Sequence, residues 1–149
     1  MSRPIAEARQ AIIDSSNDSA VYLGCDSIRF KKNGRWHAKY STVIIIHKGG
    51  RHGGSIFYDS TSMEDYGVIK QRMLNEVSFA VQHAGDIIDV IGDRHFEIHI
   101  DINANPIHKS NVALAEAMGW VRGQFGDIVK CKPDAWAATH CADHVVRQG

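Results

Sequence analysis

AVYLGCDSIRFKKNGRWHAKYSTVIIIHK, residues 20–48, decides the fold of this chain. Two extended runs, Ala20 to Lys31 and Arg35 to Lys48, flank Asn33-Gly34. Asn-Gly between such runs is a strong hairpin signal, because both central residues of a tight turn need positive φ. With Lys32 opposite Arg35, Asp26 falls opposite Ser41. A glycine-rich turn at 49–54 then leads to a third strand, Ser55 to Asp59. The three runs predict an antiparallel meander.

Outward from the meander the period changes. Ile69, Met73, Val77, Ala80, Val81 and Ala84 recur at helical spacing and predict a helix from about Ser62 to Ala84. Phe96 to Asn103 alternates, with Phe96, Ile98, Ile100 and Ile102 on one side and Glu97, His99, Asp101 and Asn103 on the other. Ser110 caps a predicted helix to Met118 that stops at Gly119. A short fifth strand follows from Asp127 to Lys132, and Pro133 suits the first turn of a last helix to about Arg147. Before the meander, Pro4 to Ile13 reads as a short amphipathic helix with Ile5, Ala8, Ala11 and Ile12 on one side. A polar linker follows, so the expected division is 1–19 as helix and linker and 20–149 as the main domain. The order is three antiparallel strands, helix, strand, helix, strand, helix: an α/β fold with a mixed five-stranded sheet.

Composition sets the outer bounds. At 149 residues the chain fits one domain, and 44% hydrophobic with 23% charged residues is ordinary for a globular protein and argues against disorder except at the ends. No apolar run reaches the roughly 18 residues of a membrane span, and the N-terminus lacks a signal-peptide core. Three cysteines without CxxC spacing suit reduced thiols and a cytoplasmic location. Net charge is zero but unevenly spread. Between Asp26 and Asp59 lie Arg29, Lys31, Lys32, Arg35, Lys39, Lys48 and Arg51 without one acid, so that stretch is +7 and the rest of the chain −7. Such a lobe suits phosphate binding, and equally suits an exposed sheet edge protected by lysine.

The acids carry the chemistry. Asp26 interrupts a strand, where aspartate is disfavoured, and Asp101 lies at a strand end. Glu76 borders the apolar helix face, as a ligand, a solvated charge or a partner for Arg72 at i−4. Asp143 lies mid-helix, where the dipole gives it no reason to be, whereas its rival Asp134 sits in a first turn. Clustered carboxylates repel and usually hold cations. His140 and His144, four apart, raise a zinc alternative, but no HExxH and no third partner accompany them. The paired glycines at 49–54 join two strands and do not form a phosphate loop.

The joint order of Gly24-Cys25-Asp26-Ser27, of Arg72 with Glu76, of His99-Ile100-Asp101-Ile102-Asn103 and of Ala142-Asp143 after Lys132-Pro133-Asp134-Ala135-Trp136 resembles the ribonuclease H-like superfamily. Within it the nearest resemblance is to the bacterial YkuK-like branch. The resemblance covers roughly residues 20 to 147. It implies hydrolysis of a nucleic-acid phosphodiester with two Mg²⁺ or Mn²⁺ ions. Asp26 would bridge both ions, Glu76 and Asp101 would each hold one, and Asp143 would complete the coordination of the second ion. His140, near Asp143, would pass a proton to the leaving 3′ oxygen.

Enzymes of this type that grip hybrids commonly carry an added basic element, and none is visible. The hairpin substitutes for it in this reading: Lys31, Lys32 and Arg35 hold phosphates and Trp36 stacks on sugars or bases. Phe30 is expected instead to pair with Trp36 across the hairpin for stability. The rival function is a catalytically silent module of the same fold that binds nucleic acid or a protein partner.

Overall fold

Asn33 and Gly34 take φ of 53° and 76°, the paired positive values that a two-residue hairpin turn requires. The structure is a computed structural model. It describes residues 2–49, 53–103 and 112–132, with backbone alone at 2, 101–103, 112–115 and 131–132. Around the turn, β2 (Ala20–Lys32) and β3 (Arg35–His47) pair throughout, Lys32 opposite Arg35 and Asp26 opposite Ser41, as the turn residues predict. β4 (Gly54–Glu64) completes the meander against β3.

Six strands form one mixed sheet in the order β1-β4-β3-β2-β5-β6. β5 (His95–Asn103) lies parallel to β2, and β6 (Val129–Lys132) parallel to β5. The sixth strand, beyond the five expected, is β1 (Ser2–Pro4), parallel to the edge of β4. Proline is tolerated there because an edge strand need not donate on its outer side. The predicted N-terminal helix therefore begins later. A 3₁₀ turn at Ile5–Glu7 leads into α1 (Ala8–Asp14), which buries Ala8 and Ile12.

Three other boundaries move. The expected helix from Ser62 starts instead as strand, because Ser62, Met63 and Glu64 continue the ladder opposite Lys39, Ala38 and His37. α2 then spans Ile69–Ile87, extended at its far end by Ile87, which joins the buried face. α3 (Val112–Phe125) runs through Gly119 and ends at Gly126, whose φ of 68° breaks the helix. Asp127 and Ile128 belong to a 3₁₀ turn rather than to β6. The predicted cap Ser110 and the last helix lie outside the described residues.

Strand alternation sorts the core. Val21, Leu23 and Cys25 of β2, Ile44 and Ile46 of β3, Phe57 of β4 and Phe96, Ile98 and Ile100 of β5 pack in one cluster. Val77, Ala80, Ala84 and Ile87 of α2, with Met118 and Val121 of α3, complete it. Val43 and Ile45 form a smaller cluster on the other face, so β3 is apolar on both sides. Among the described residues no helix is long and apolar enough to cross a membrane.

Candidate active site and nucleic-acid interface

The face of β2 that carries Val21, Leu23 and Cys25 continues through Ser27, Arg29 and Lys31, since alternate residues share a side. Ser27 meets α2 directly: its Oγ donates to Glu76 Oε2 at 2.6 Å. The Ser27 backbone N–H donates to Asp26 Oδ1 at 2.8 Å. Ser27 thus touches two of the predicted carboxylates, Glu76 through its side chain and its chain neighbour Asp26 through its backbone, while the same alternation starts the Asp26 side chain from the other face of β2. Cys25 registers both. Burial pushes its thiol up, a hydrogen bond with Thr42 works the other way, and the charges of Glu76 and Asp26 raise it further. The thiol is therefore protonated.

Asp101 comes level with this pair through the backbone. Gly24 pairs with His99 across the parallel β2–β5 ladder, and Asp26 and Asp101 each lie two residues farther along. On its other edge β5 loses register against β6 between Ile100 and Asn103, the residues that bracket Asp101 and Ile102. Irregularities of this kind re-aim side chains and recur beside active sites. Asp143 and His140 lie outside the described residues, as does His144. Among the described residues, no three His, Cys, Asp or Glu side chains stand close enough together to hold a metal ion. What is present fits in kind: Asp26 and Glu76 supply the hard oxygen donors that Mg²⁺ and Mn²⁺ prefer.

Two neighbours complete the surroundings. Arg72 lies one helical turn before Glu76, and its Nε is buried without a hydrogen-bond partner. His99 is fully buried, with Nε2 2.8 Å from Glu97 Oε1, while His95 Nε2 lies against the other Glu97 oxygen. Burial works to raise the Glu97 carboxyl, but hydrogen bonds with His95 and His99 outweigh it and hold the group below its usual range. Burial lowers the His99 imidazole despite the opposing pull of Glu97.

At the hairpin the predicted cations separate into two kinds. Arg35 Nη1 is 3.0 Å from Glu64, and Arg29 Nε pairs with Asp65, whose side chain is only 6% exposed. Lys31 and Lys32 have no ion-pair partner among the described residues. Lys32 stands directly opposite Arg35, whose charge Glu64 already balances. Trp36 is 43% exposed, with the Arg29 guanidinium 4.4 Å and the Lys31 ammonium 5.3 Å from its ring centre. The expected cross-hairpin partner of Phe30 is corrected in identity. The register puts Phe30 opposite His37, and their rings stack at 5.5 Å. Glu64 and Asp65 neutralise part of the basic stretch from outside it. Their position at the end of the third strand was the available signal, because the antiparallel register returns that end to the hairpin, with Glu64 opposite His37 and the Asp65 N–H on the Trp36 carbonyl.

No curated protein and no solved structure matches the chain. A family model described as Ribonuclease H-like matches residues 5–147, and it takes in the meander, the Ser27-linked carboxylates and the parallel strand that bears Asp101. The chain belongs to the ribonuclease H-like family.

Proposed function

We propose that this protein is a divalent-metal-dependent nuclease that hydrolyses a nucleic-acid phosphodiester, with Asp26, Glu76, Asp101 and Asp143 as the metal ligands. Family membership supports the coarser statement of a nuclease-like or nucleic-acid-binding module. The observation that carries the finer one is the contact of Ser27 with both Asp26 and Glu76. Both charges also reach the buried Cys25 thiol, and carboxylates gathered in a part-buried setting are a usual place for a divalent cation.

Mg²⁺ or Mn²⁺, when bound, supplies charge stabilisation of the attacking and leaving oxygens. The chain's own residues set the geometry. Ser27 fixes the rotamer of Glu76 by holding one of its oxygens. Lys31 and Lys32 draw the phosphate backbone to the hairpin, and Trp36 offers an aromatic surface beside them. His140 donates a proton to the leaving 3′ oxygen in this scheme.

The test is cleavage of end-labelled single strands, duplexes and hybrids of DNA and RNA in Mg²⁺ or Mn²⁺, with Asp26→Asn beside wild type. Metal-dependent cutting that the variant loses while staying folded is the expected result. Folded wild type that binds these substrates but cuts none would favour the silent binding module.

A further inference from the structure

Beyond the carboxylates, the far end of the meander holds an open groove of about 430 Å³. Arg29, Arg35, Trp36, Glu64, Asp65 and Tyr66 line it. Its charges cancel in pairs, Arg29 with Asp65 and Arg35 with Glu64. Neither pair leaves a cation for a phosphate. Tyr66 is 82% exposed, unusual for so large a ring, and yet it is not loose. Its hydroxyl donates to Glu64 at 2.9 Å, and Arg35 holds the same carboxylate. Those two hydrogen bonds lower the Glu64 carboxyl, Arg35 first, and the bond to Glu64 raises the Tyr66 phenol. Trp36, also in the lining, has the Arg29 and Lys31 cations over its ring. A charge-balanced slot with a tethered, open aromatic ring matches a flat, neutral heterocycle.

We infer that the groove is a subsite for one unpaired nucleobase of a single-stranded segment, stacked on Tyr66 with Trp36 as the facing wall. The inference rests on the nucleic-acid reading above and adds a base contact to it. Position supports it. Trp36 lies opposite Lys31, on the same side of the sheet as Ser27, and therefore on the Glu76 side. Along β3 it is four residues beyond Tyr40, the partner of Ser27, or about 14 Å at about 3.4 Å per residue. A stacked strand rises about 3.4 Å per nucleotide, so the base held here is about four nucleotides from Glu76. Lys31 and Lys32, without ion-pair partners among the described residues, stand beside the groove to take the flanking phosphates.

The experiment compares two probes of equal length and charge, a labelled 12-nucleotide oligothymidine and a fully abasic chain, by fluorescence anisotropy. The full-length protein is held in EDTA so that nothing is cut. Wild type is expected to prefer the oligothymidine by about tenfold, within the range of base–aromatic stacking. Tyr66→Ala should reduce that preference to about twofold while leaving abasic-chain affinity unchanged, and Tyr66→Phe should preserve it. Equal weakening of both probes in Tyr66→Ala, or no change in either, would overturn the inference while leaving the nuclease reading intact. Sedimentation showing a dimer that Tyr66→Ala dissociates would also overturn it, because the groove would then belong to a second copy. Folded wild type that binds neither probe would overturn it together with the nucleic-acid reading, whereas lost cleavage in Asp26→Asn bears on the nuclease reading alone.

Discussion

Replacing Ser27 with alanine removes one oxygen and, with it, the 2.6 Å hydrogen bond to Glu76. The acceptor is a carboxylate, so the bond belongs to the charge-assisted class, worth about 1.5–3 kcal/mol. Both partners are only part-buried, which places the stability effect near or below the lower end, about 1 kcal/mol. For a domain of this size that is a fall in Tm of about 2–4 °C. The effect on chemistry is larger in kind. A carboxylate has about four acceptor sites, and Ser27 occupies one while orienting the rest. A Glu76 free to rotate holds an ion in fewer of its conformers, so Ser27→Ala should weaken Mn²⁺ binding and lower the single-turnover cleavage rate about tenfold, equivalent to about 1.4 kcal/mol. Ser27→Thr keeps the hydroxyl in a residue suited to a strand and should restore both. The assay pairs urea denaturation with Mn²⁺ titration and single-turnover cleavage. A purely structural serine would lower stability without moving Mn²⁺ affinity, and that result would refute the positioning role.

Other perturbations have equally definite outcomes. Arg72→Met removes a buried Nε that has no partner and retains the packing stem, so unfolding free energy should stay level or rise by up to about 1 kcal/mol. A loss above about 2 kcal/mol in urea would show that the guanidinium is needed for the fold. Neutralising Lys31 and Lys32 together, as glutamine, should reduce the slope of log affinity against log salt for single strands by about 1.4. An unchanged slope would take the hairpin out of the phosphate path. Gly34→Ala forces a side chain into positive φ at the turn and should cost about 1–2 kcal/mol, read as a fall in Tm. A neutral result would mean that the turn relaxes to another type.

The hairpin was legible because one dipeptide carries it. Asn33-Gly34 fixes a two-residue loop, the loop fixes the register, and the register puts Asp26 opposite Ser41. The start of α2 was not legible, because Ser62, Met63 and Glu64 have no strong preference and take strand geometry from their ladder with β3. β1 is hidden for a similar reason, since three residues that include a proline carry no strand pattern of their own. Gly119 misleads as a stop because glycine also tolerates helical geometry when tertiary packing favours it, and Val121 beyond it is almost fully buried. At the site, spacing placed Asp26, Glu76 and Asp101 on the right kinds of element. It gave no hint of the Ser27 bridge, which depends on how α2 crosses the sheet. Arg29 and Arg35 read as unpaired cations in a stretch without acids, and only the return of β4 brings Glu64 and Asp65 to them.

The central claim is that Asp26 and Glu76 hold one divalent ion between them. It is tested most directly by Mn²⁺ titration followed by electron paramagnetic resonance, on wild type, Asp26→Asn and Glu76→Gln. Each variant is first shown to be folded by circular dichroism. The account predicts saturable binding by wild type and at least about tenfold weaker binding by each variant, since each loses one anionic ligand. Equal Mn²⁺ affinity in all three folded proteins would contradict it.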